Sequence, residues 1–225
     1  MGADGKKIFD EYHKWYYRSR VWEYTTWLGV KVNKSVLDLW NYQEILTKLN
    51  PSVIIELGTY KGGSTLFFST VLKELKKPFK IITIDINKEN IDQKVFSDPN
   101  IKVIISDSTD TSIVKQILSV RDQFAGPMFV IVDSDHSANH VYKEMVMLRR
   151  ILKKGDWVII EDGNINGHPI LPNWGDGPWE AMERYFNEYP NDYQRDKARE
   201  EKFGFTFAPG GFLVWNNEPL NNKGK

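Results

Sequence analysis

The stretch Val53-Ile54-Ile55-Glu56-Leu57-Gly58-Thr59-Tyr60-Lys61-Gly62-Gly63-Ser64-Thr65 constrains the chain more than any other. Val53 to Leu57 is an apolar, β-branched run bounded by Pro51 and Gly58, which predicts a buried strand. Gly58, Gly62 and Gly63 permit a tight turn and close approach of a ligand to the backbone. Ser64 and Thr65 open an amphipathic stretch to Leu75 with apolar residues at helical spacing. A strand, a glycine turn and a helix hold a nucleotide-like ligand in many α/β proteins. The first turn lacks Gly-x-Gly-x-x-Gly, because three residues separate Gly58 from Gly62, and this disfavours a nicotinamide dehydrogenase.

The rest of the chain repeats that alternation. Strands are predicted at Lys80 to Ile84, Ile101 to Ile105, Phe129 to Val132 and Trp157 to Ile160, with helices at about Lys88 to Val95, Thr111 to Gln123 and Asn139 to Lys153. Strands alternating with helices imply a parallel sheet with right-handed crossovers. Gly163 to Gly177 breaks the rhythm as a long loop holding His168 and Trp174, and such loops are often lids. A helix from Pro178 to Tyr189 follows, then a charged loop or short helix from Tyr193 to Glu201. Lys202 to Ala208 and Gly211 to Trp215 read as two strands joined by Pro209-Gly210. The fold expected is α/β, Rossmann-like, with a mostly parallel seven-stranded sheet closed by a C-terminal antiparallel hairpin.

Residues 1–50 read as an N-terminal helical extension, 51–215 as the main domain and 216–225 as a fraying tail. Within the extension, Ile8 to Trp27 predicts one or two aromatic helices, which either cover the core or form a contact between subunits. Ser35 to Leu49 predicts a further helix capped by Ser35, with Val36, Leu39, Trp40 and Leu46 on its buried face. The 225 residues carry a formal net charge of zero, which argues against a nucleic-acid partner. No cysteine is present, which excludes thiol nucleophiles and zinc–thiolate sites and fits a cytoplasmic protein. No apolar run approaches the length of a membrane span.

Each predicted parallel strand ends at or beside an acidic residue: Glu56, Asp85, Asp107, Asp133 and the pair Glu161-Asp162. In a parallel sheet these ends share one edge, where ligands bind. Asp85 is placed to take ribose hydroxyls and Asp107 to lie near a base; a helix cap is the alternative for each, and a closer rival for Asp107. Asp133, Glu161 and Asp162 converge if their strands are neighbours, and three like charges repel unless a cation joins them. Oxygen ligands favour Mg²⁺, Mn²⁺ or Ca²⁺ over zinc. His136, three residues after Asp133, is a candidate proton acceptor beside that ion. Asp135 and His140 read as supporting or surface residues.

Glu56-Leu57-Gly58-x-x-x-Gly62-Gly63-Ser64 resembles the first motif of class I S-adenosylmethionine-dependent methyltransferases. Together with Trp27-Leu28-Gly29, Asp133-Ser-Asp-His136-Ser-x-x-His140-Val141, Val158-Ile-Ile-Glu161-Asp162 and Gly177-Pro178-x-x-Ala181, it is similar to the cephalosporin hydroxylase family. That family is related to metal-dependent O-methyltransferases of macrolide sugars and rhamnosyl groups. The resemblance implies S-adenosylmethionine bound by Glu56, Gly58, Tyr60, Gly62, Gly63, Ser64, Asp85, Asp107 and Asp133. It implies Mg²⁺ or Mn²⁺ held by Asp133, Glu161 and Asp162, with His136 as base. His168 and Trp174 would close over a small-molecule or saccharide acceptor. A β-lactam-modifying role and a catechol-like acceptor stay open as alternatives. Nothing in the histidine pattern supplies the two-His-one-carboxylate iron site of an oxygenase.

Overall fold

The computed structural model describes residues 3–218; the expected fraying of positions 219–225 lies outside them. The chain runs α1 (Ala3–Ser19), a 3₁₀ turn (Val21–Tyr24), β1 (Thr26–Trp27), β2 (Val30–Lys31), α2 (Val36–Leu49), β3 (Val53–Leu57) and α3 (Gly63–Glu74). It continues with β4 (Lys80–Asp85), α4 (Gln93–Ser97), β5 (Ile101–Ile105), α5 (Ser112–Arg121), β6 (Met128–Val132), α6 (Ala138–Leu148) and β7 (Trp157–Ile160). After the long loop come α7 (Pro178–Glu188), β8 (Tyr193–Arg195), α8 (Lys197–Glu201) and β9 (Phe212–Trp215).

Period-two alternation sorts the strand residues between two covering layers. Val53, Ile55 and Leu57 pack with Ile113, Ile117, Met145, Leu148, Met182 and Tyr185, on the α5–α6–α7 side. Ile54, Phe129, Ile131 and Ile159 pack with Tyr42, Ile45, Phe68 and Leu72, on the α2–α3 side. Because both faces are covered, the fully buried residues of the central strands are apolar except Glu56 and Thr83, and β4 is otherwise polar only at its ends, Lys80 and Asp85. The sheet order is β5-β4-β3-β6-β7-β9-β8, with β3 to β7 parallel and the last two strands antiparallel. Leu57 pairs with both Ile84 and Val132, and Val132 pairs with Ile160. Gly58, Asp85, Asp133 and Glu161 therefore lie side by side along one edge. The strand order reverses between β3 and β6, which is where such sheets open a crevice.

Three segments depart from expectation. The aromatic stretch does not stay helical to Trp27: α1 ends at Ser19, and Trp27 belongs to the short β1–β2 hairpin, whose indole donates to Thr70 Oγ1 at 3.1 Å and meets Phe67 edge-on. The face of α2 is rotated from the expected one. Leu46 is buried and Leu39 packs against the core as expected, but Val36 and Trp40 are exposed, Trp40 by 59%, and Asp38, Asn41, Tyr42 and Ile45 are buried in their place. Polar side chains sit inside because they find partners: Asp38 accepts the Thr206 hydroxyl and the Phe207 N–H, and the Asn41 amide nitrogen donates to the Arg199 carbonyl, although the Asn41 Oδ1 is left without a partner. Ser35 sits at the expected N-cap, but its hydroxyl makes no capping bond.

The antiparallel ending is present with a different first strand. Lys202 to Ala208 forms no strand; Tyr193–Arg195 pairs with β9 instead. The alternation Phe203-x-Phe205-x-Phe207 that reads as a strand serves another contact. Phe205 and Phe207 pack with Tyr16 and His13 of α1, and the Phe207 backbone is bonded to Asp38 and Asn164. Tyr193, expected on a solvated segment, is buried. No helix among the described residues is long and apolar enough to cross a membrane.

Candidate active site

The glycine turn is built around Asp85. Its Oδ2 accepts the N–H groups of Thr59 (3.0 Å) and Tyr60 (2.8 Å), and its Oδ1 accepts Asn87 N–H. Gly58 has φ +99° and lies against the backbone of the neighbouring strand end. A Cβ there would stand 1.9 Å from the Asp133 carbonyl oxygen, so only glycine fits. Glu56 is not presented to a ligand. It faces the α3 side, fully buried, where its carboxylate accepts the hydroxyls of Ser64 (2.5 Å), Thr83 (2.8 Å) and Thr65. Its pKa is raised by burial, with the three hydroxyls opposing. Gly62 and Gly63 pack against Val95 and the Lys31 carbonyl, so their part is to seat α3 close to its neighbours.

Two cavities open at this edge. The first, of about 410 Å³, is lined by Gly58, Tyr60, Ile84 to Ile86, Ser106 to Ser108, Asp133 to Asp135 and His140. Asp85 and Asp107 both reach it. Asp107 is exposed and also turns the local backbone by accepting the Thr109 N–H and hydroxyl, which hold its pKa below the usual range. Asp135 and His140, read from sequence as surface or supporting residues, line this cavity too. His140 Nε2 lies 2.9 Å from Ser108 Oγ, and the Glu144 carboxylate behind it raises its pKa. The second cavity, of about 350 Å³, is lined by Tyr17, Trp22, Val32, Asn33, Ser64, His136, Asp162, Ile165 and Trp174. It shares Gly58, Tyr60, Asp133 and Ser134 with the first.

Asp133, His136 and Asp162 come together here, with one ligand atom of each within 4.8 Å of the others. His136 Nε2 is 3.4 Å from Asp162 Oδ2 and its side chain is half-buried. Burial alone would lower the His136 pKa, but Asp162 and Asp133 outweigh it and the net direction is upward. Burial likewise raises Asp162, against the pull of His136. Asp162 has φ +54°, a left-handed conformation uncommon outside glycine and of the kind found where backbone strain serves a site.

Glu161 lies deeper. Its Oε1 accepts the Tyr42 hydroxyl at 2.7 Å and stands 2.9 Å from Lys34 Nζ, which is 2.6 Å from Asp133 Oδ2. Lys34 and Tyr42 are the site residues the sequence reading missed. Their signal is weak but present: Asp38 and Tyr42 lie four residues apart, one turn along α2, and Lys34 stands two residues before the helix begins. Burial and mutual repulsion raise Asp133 and Glu161, with Lys34 opposing. Three carboxylates against one lysine, with Glu161 buried and Asp133 and Asp162 only partly exposed at the cavity wall, leave an excess of negative charge, which suits a divalent cation held by oxygen ligands.

Trp174 reaches the second cavity, 53% exposed at its mouth. His168 does not. Its Nε2 lies 2.9 Å from Glu180 Oε1, its ring stacks on Trp179, and it faces a separate cavity lined by His13 and Phe205. Glu180 is already fixed by the Gly177 N–H at the start of α7, so it draws His168 away from His136.

The fold and this edge are those of a parallel α/β protein with a ligand crevice over its strand ends, and the relatives place it among the O-methyltransferases. The chain belongs to the Rhamnosyl O-methyltransferase/CmcI family, whose sequence profile matches residues 19–215. It is 48% identical over 209 residues to a rhamnosyl O-methyltransferase of Mycobacterium bovis, covering 93% of this chain and 85% of that one. It is 50% identical over 207 residues to the rhamnosyl O-methyltransferase of Mycobacterium leprae, covering 92% and 90%. A solved structure of CmcI with Mg and SAM superposes with a TM-score of 0.65 at 22% identity, over 86% of this chain and 77% of that one.

Proposed function

We propose that this chain transfers the methyl group of S-adenosylmethionine to a hydroxyl of a sugar, with a divalent metal ion at the carboxylate site. One observation carries the reading: the two cavities meet over Gly58 and Asp133, so a donor in the first and an acceptor in the second share a wall. The rhamnosyl name of the relatives supports a deoxysugar acceptor, and the CmcI structure with Mg and SAM supports the donor and the ion.

In the first cavity, Asp85 has acceptor capacity for ribose hydroxyls, and Asp107 and His140 face the base. Asp133, Glu161 and Asp162 would hold Mg²⁺, a hard ion that prefers oxygen, and this leaves His136 as base. When bound, the ion would acidify and orient the acceptor hydroxyl. His136 takes the hydroxyl proton, with Asp162 stabilising the imidazolium that forms. The acceptor oxygen bonds to the methyl carbon as the carbon–sulfur bond breaks, and the sulfonium leaves as a neutral thioether. Alignment is the main demand on the protein, because the donor is already activated. Trp174 offers a ring face to the sugar at the mouth.

Incubation with S-adenosylmethionine, Mg²⁺ and a rhamnosyl glycoside should yield S-adenosylhomocysteine and an O-methylated sugar. The yield should fall to background with EDTA. Turnover insensitive to the chelator would refute the metal's part. Failure to bind S-adenosylmethionine would refute the whole reading.

A further inference from the structure

We propose that Lys34 is a built-in counter-cation of the carboxylate site, holding Asp133 and Glu161 together in the metal-free protein and limiting the site's demand to one divalent ion. The inference rests on the metal reading above and adds a residue to it. Lys34 is 2% exposed, and its Nζ bridges Asp133 Oδ2 at 2.6 Å and Glu161 Oε1 at 2.9 Å. Tyr42, two turns along α2, donates to the same Glu161 oxygen at 2.7 Å.

The supporting frame is specific. Asp38, in the first turn of α2 just after Lys34, is fixed by the Thr206 hydroxyl and the Phe207 N–H, so α2 cannot rotate without breaking both. On the other side, the Lys31 carbonyl is pressed against Gly63, where a Cβ would stand 2.2 Å away. The segment that delivers Lys34 is thus held at both ends. An ammonium gripped by two carboxylates stays charged, which makes Lys34 a positioning residue and not a proton acceptor.

Charge counting gives the consequence. Asp133, Glu161 and Asp162 carry three negative charges and Lys34 one positive, a balance of minus two that one divalent ion neutralises. Without Lys34 the balance is minus three. Carboxylates that repel one another in a buried place then lose their only fixed cation among the described residues, and metal becomes the remaining source of positive charge.

The test compares wild type, Lys34→Met and the double variant Lys34→Met/Glu161→Gln, whose charge balance returns to minus two. Thermal melts are run on metal-free protein, and Mn²⁺ alone is titrated by calorimetry into wild type and Lys34→Met. Lys34→Met should melt about 10 °C lower without metal, the size expected when one partner of a buried ion pair is removed. The double variant should recover at least half of that loss. Mn²⁺ should bind Lys34→Met about tenfold more tightly than wild type, because a repelling charge is gone. An unchanged melting temperature in Lys34→Met, weaker Mn²⁺ binding, or a double variant no more stable than the single one would overturn the proposal. If Lys34→Met does not fold alone, the double variant decides: a folded protein supports charge balance and an unfolded one refutes it. Wild type that takes up no Mn²⁺ would sink the metal reading, while the metal-free melts would still judge Lys34.

Discussion

The two cavities that meet over Gly58 are assembled in different ways. The first is local: most of its wall comes from the strand ends at Gly58 to Tyr60, Ile84 to Ile86 and Ser106 to Ser108, closed by residues 133 to 140. The second draws on Tyr17, Trp22, Val32 and Asn33 from before the first sheet strand, His136 from its middle, and Asp162 to Trp174 from near its end. A donor common to a large class of enzymes can be held by one repeated unit of the fold. An acceptor peculiar to one enzyme calls for parts brought from elsewhere. The carboxylate cluster lies where the two constructions join.

The sharpest way to separate the two is His136→Ala, since His136 lines the second cavity and not the first. Its turnover should fall by about 10³-fold, the usual scale for loss of a general base, while the calorimetric affinity for S-adenosylmethionine stays within error. Donor binding that collapses with it would mean the cavities are one functional unit.

Acid should weaken the packing of α1, the helix that also supplies Tyr17 to the second cavity. Burial lowers the His13 pKa to about 4, and its ring stacks on Phe205 while Nε2 meets the Asn164 amide. A histidine depressed in the folded state binds its proton first in the unfolded chain. Its contribution is therefore complete above about 6.5 and lost as pH falls towards 4, a change of about 3 kcal/mol. Urea melts at pH 7 and pH 4.5 should differ less in His13→Phe than in wild type by about that amount; equal slopes would remove His13 from the account.

Asp85→Ala bears on the other side. It should raise the KM for S-adenosylmethionine by about tenfold to a hundredfold, the worth of a charged hydrogen bond, and leave the KM for the sugar unchanged. A larger change in the sugar's KM would break the division of labour. The smallest effect belongs to Trp174→Ala, an exposed ring at the mouth. About a fivefold rise in acceptor KM with kcat unchanged is expected, and steady-state kinetics with varied glycoside would show it.

The parts legible in the sequence are those where chemistry is local. The inner parallel strands were readable because both of their faces are buried, which forces continuous β-branched runs such as Ile81 to Ile84 and Val130 to Val132. The acidic strand ends followed from parallel topology alone. What stayed hidden depends on distant partners. Tyr193-Gln194-Arg195 is too short and polar to announce a strand, and only β9 makes it one. Phe205 and Phe207 alternate like a strand because α1 takes their rings, not because a ladder takes their backbone. The polar face of α2 defeats a hydrophobic-period reading, since Asp38, Asn41 and Tyr42 point inward to partners at positions 206, 199 and 161. Glu56 misled in the opposite sense: at a strand end beside glycines it looks like a ligand contact, yet the pleat turns it to the α3 side.

Lys34 meets Asp133 across a separation of 99 residues, and Tyr42 meets Glu161 across 119. A chain synthesised from its N-terminus therefore exposes the ammonium and the phenol to water long before either partner has left the ribosome. Until β7 emerges, α2 has nothing to hold its polar face against, and burying that face early would be costly. Contacts of such separation form last in folding, because loop closure must come first. The ion cluster is thus a seal set late in synthesis, and hydrogen exchange should find α2 protected only once Glu161 and the segment from Arg199 to Phe207 are in place.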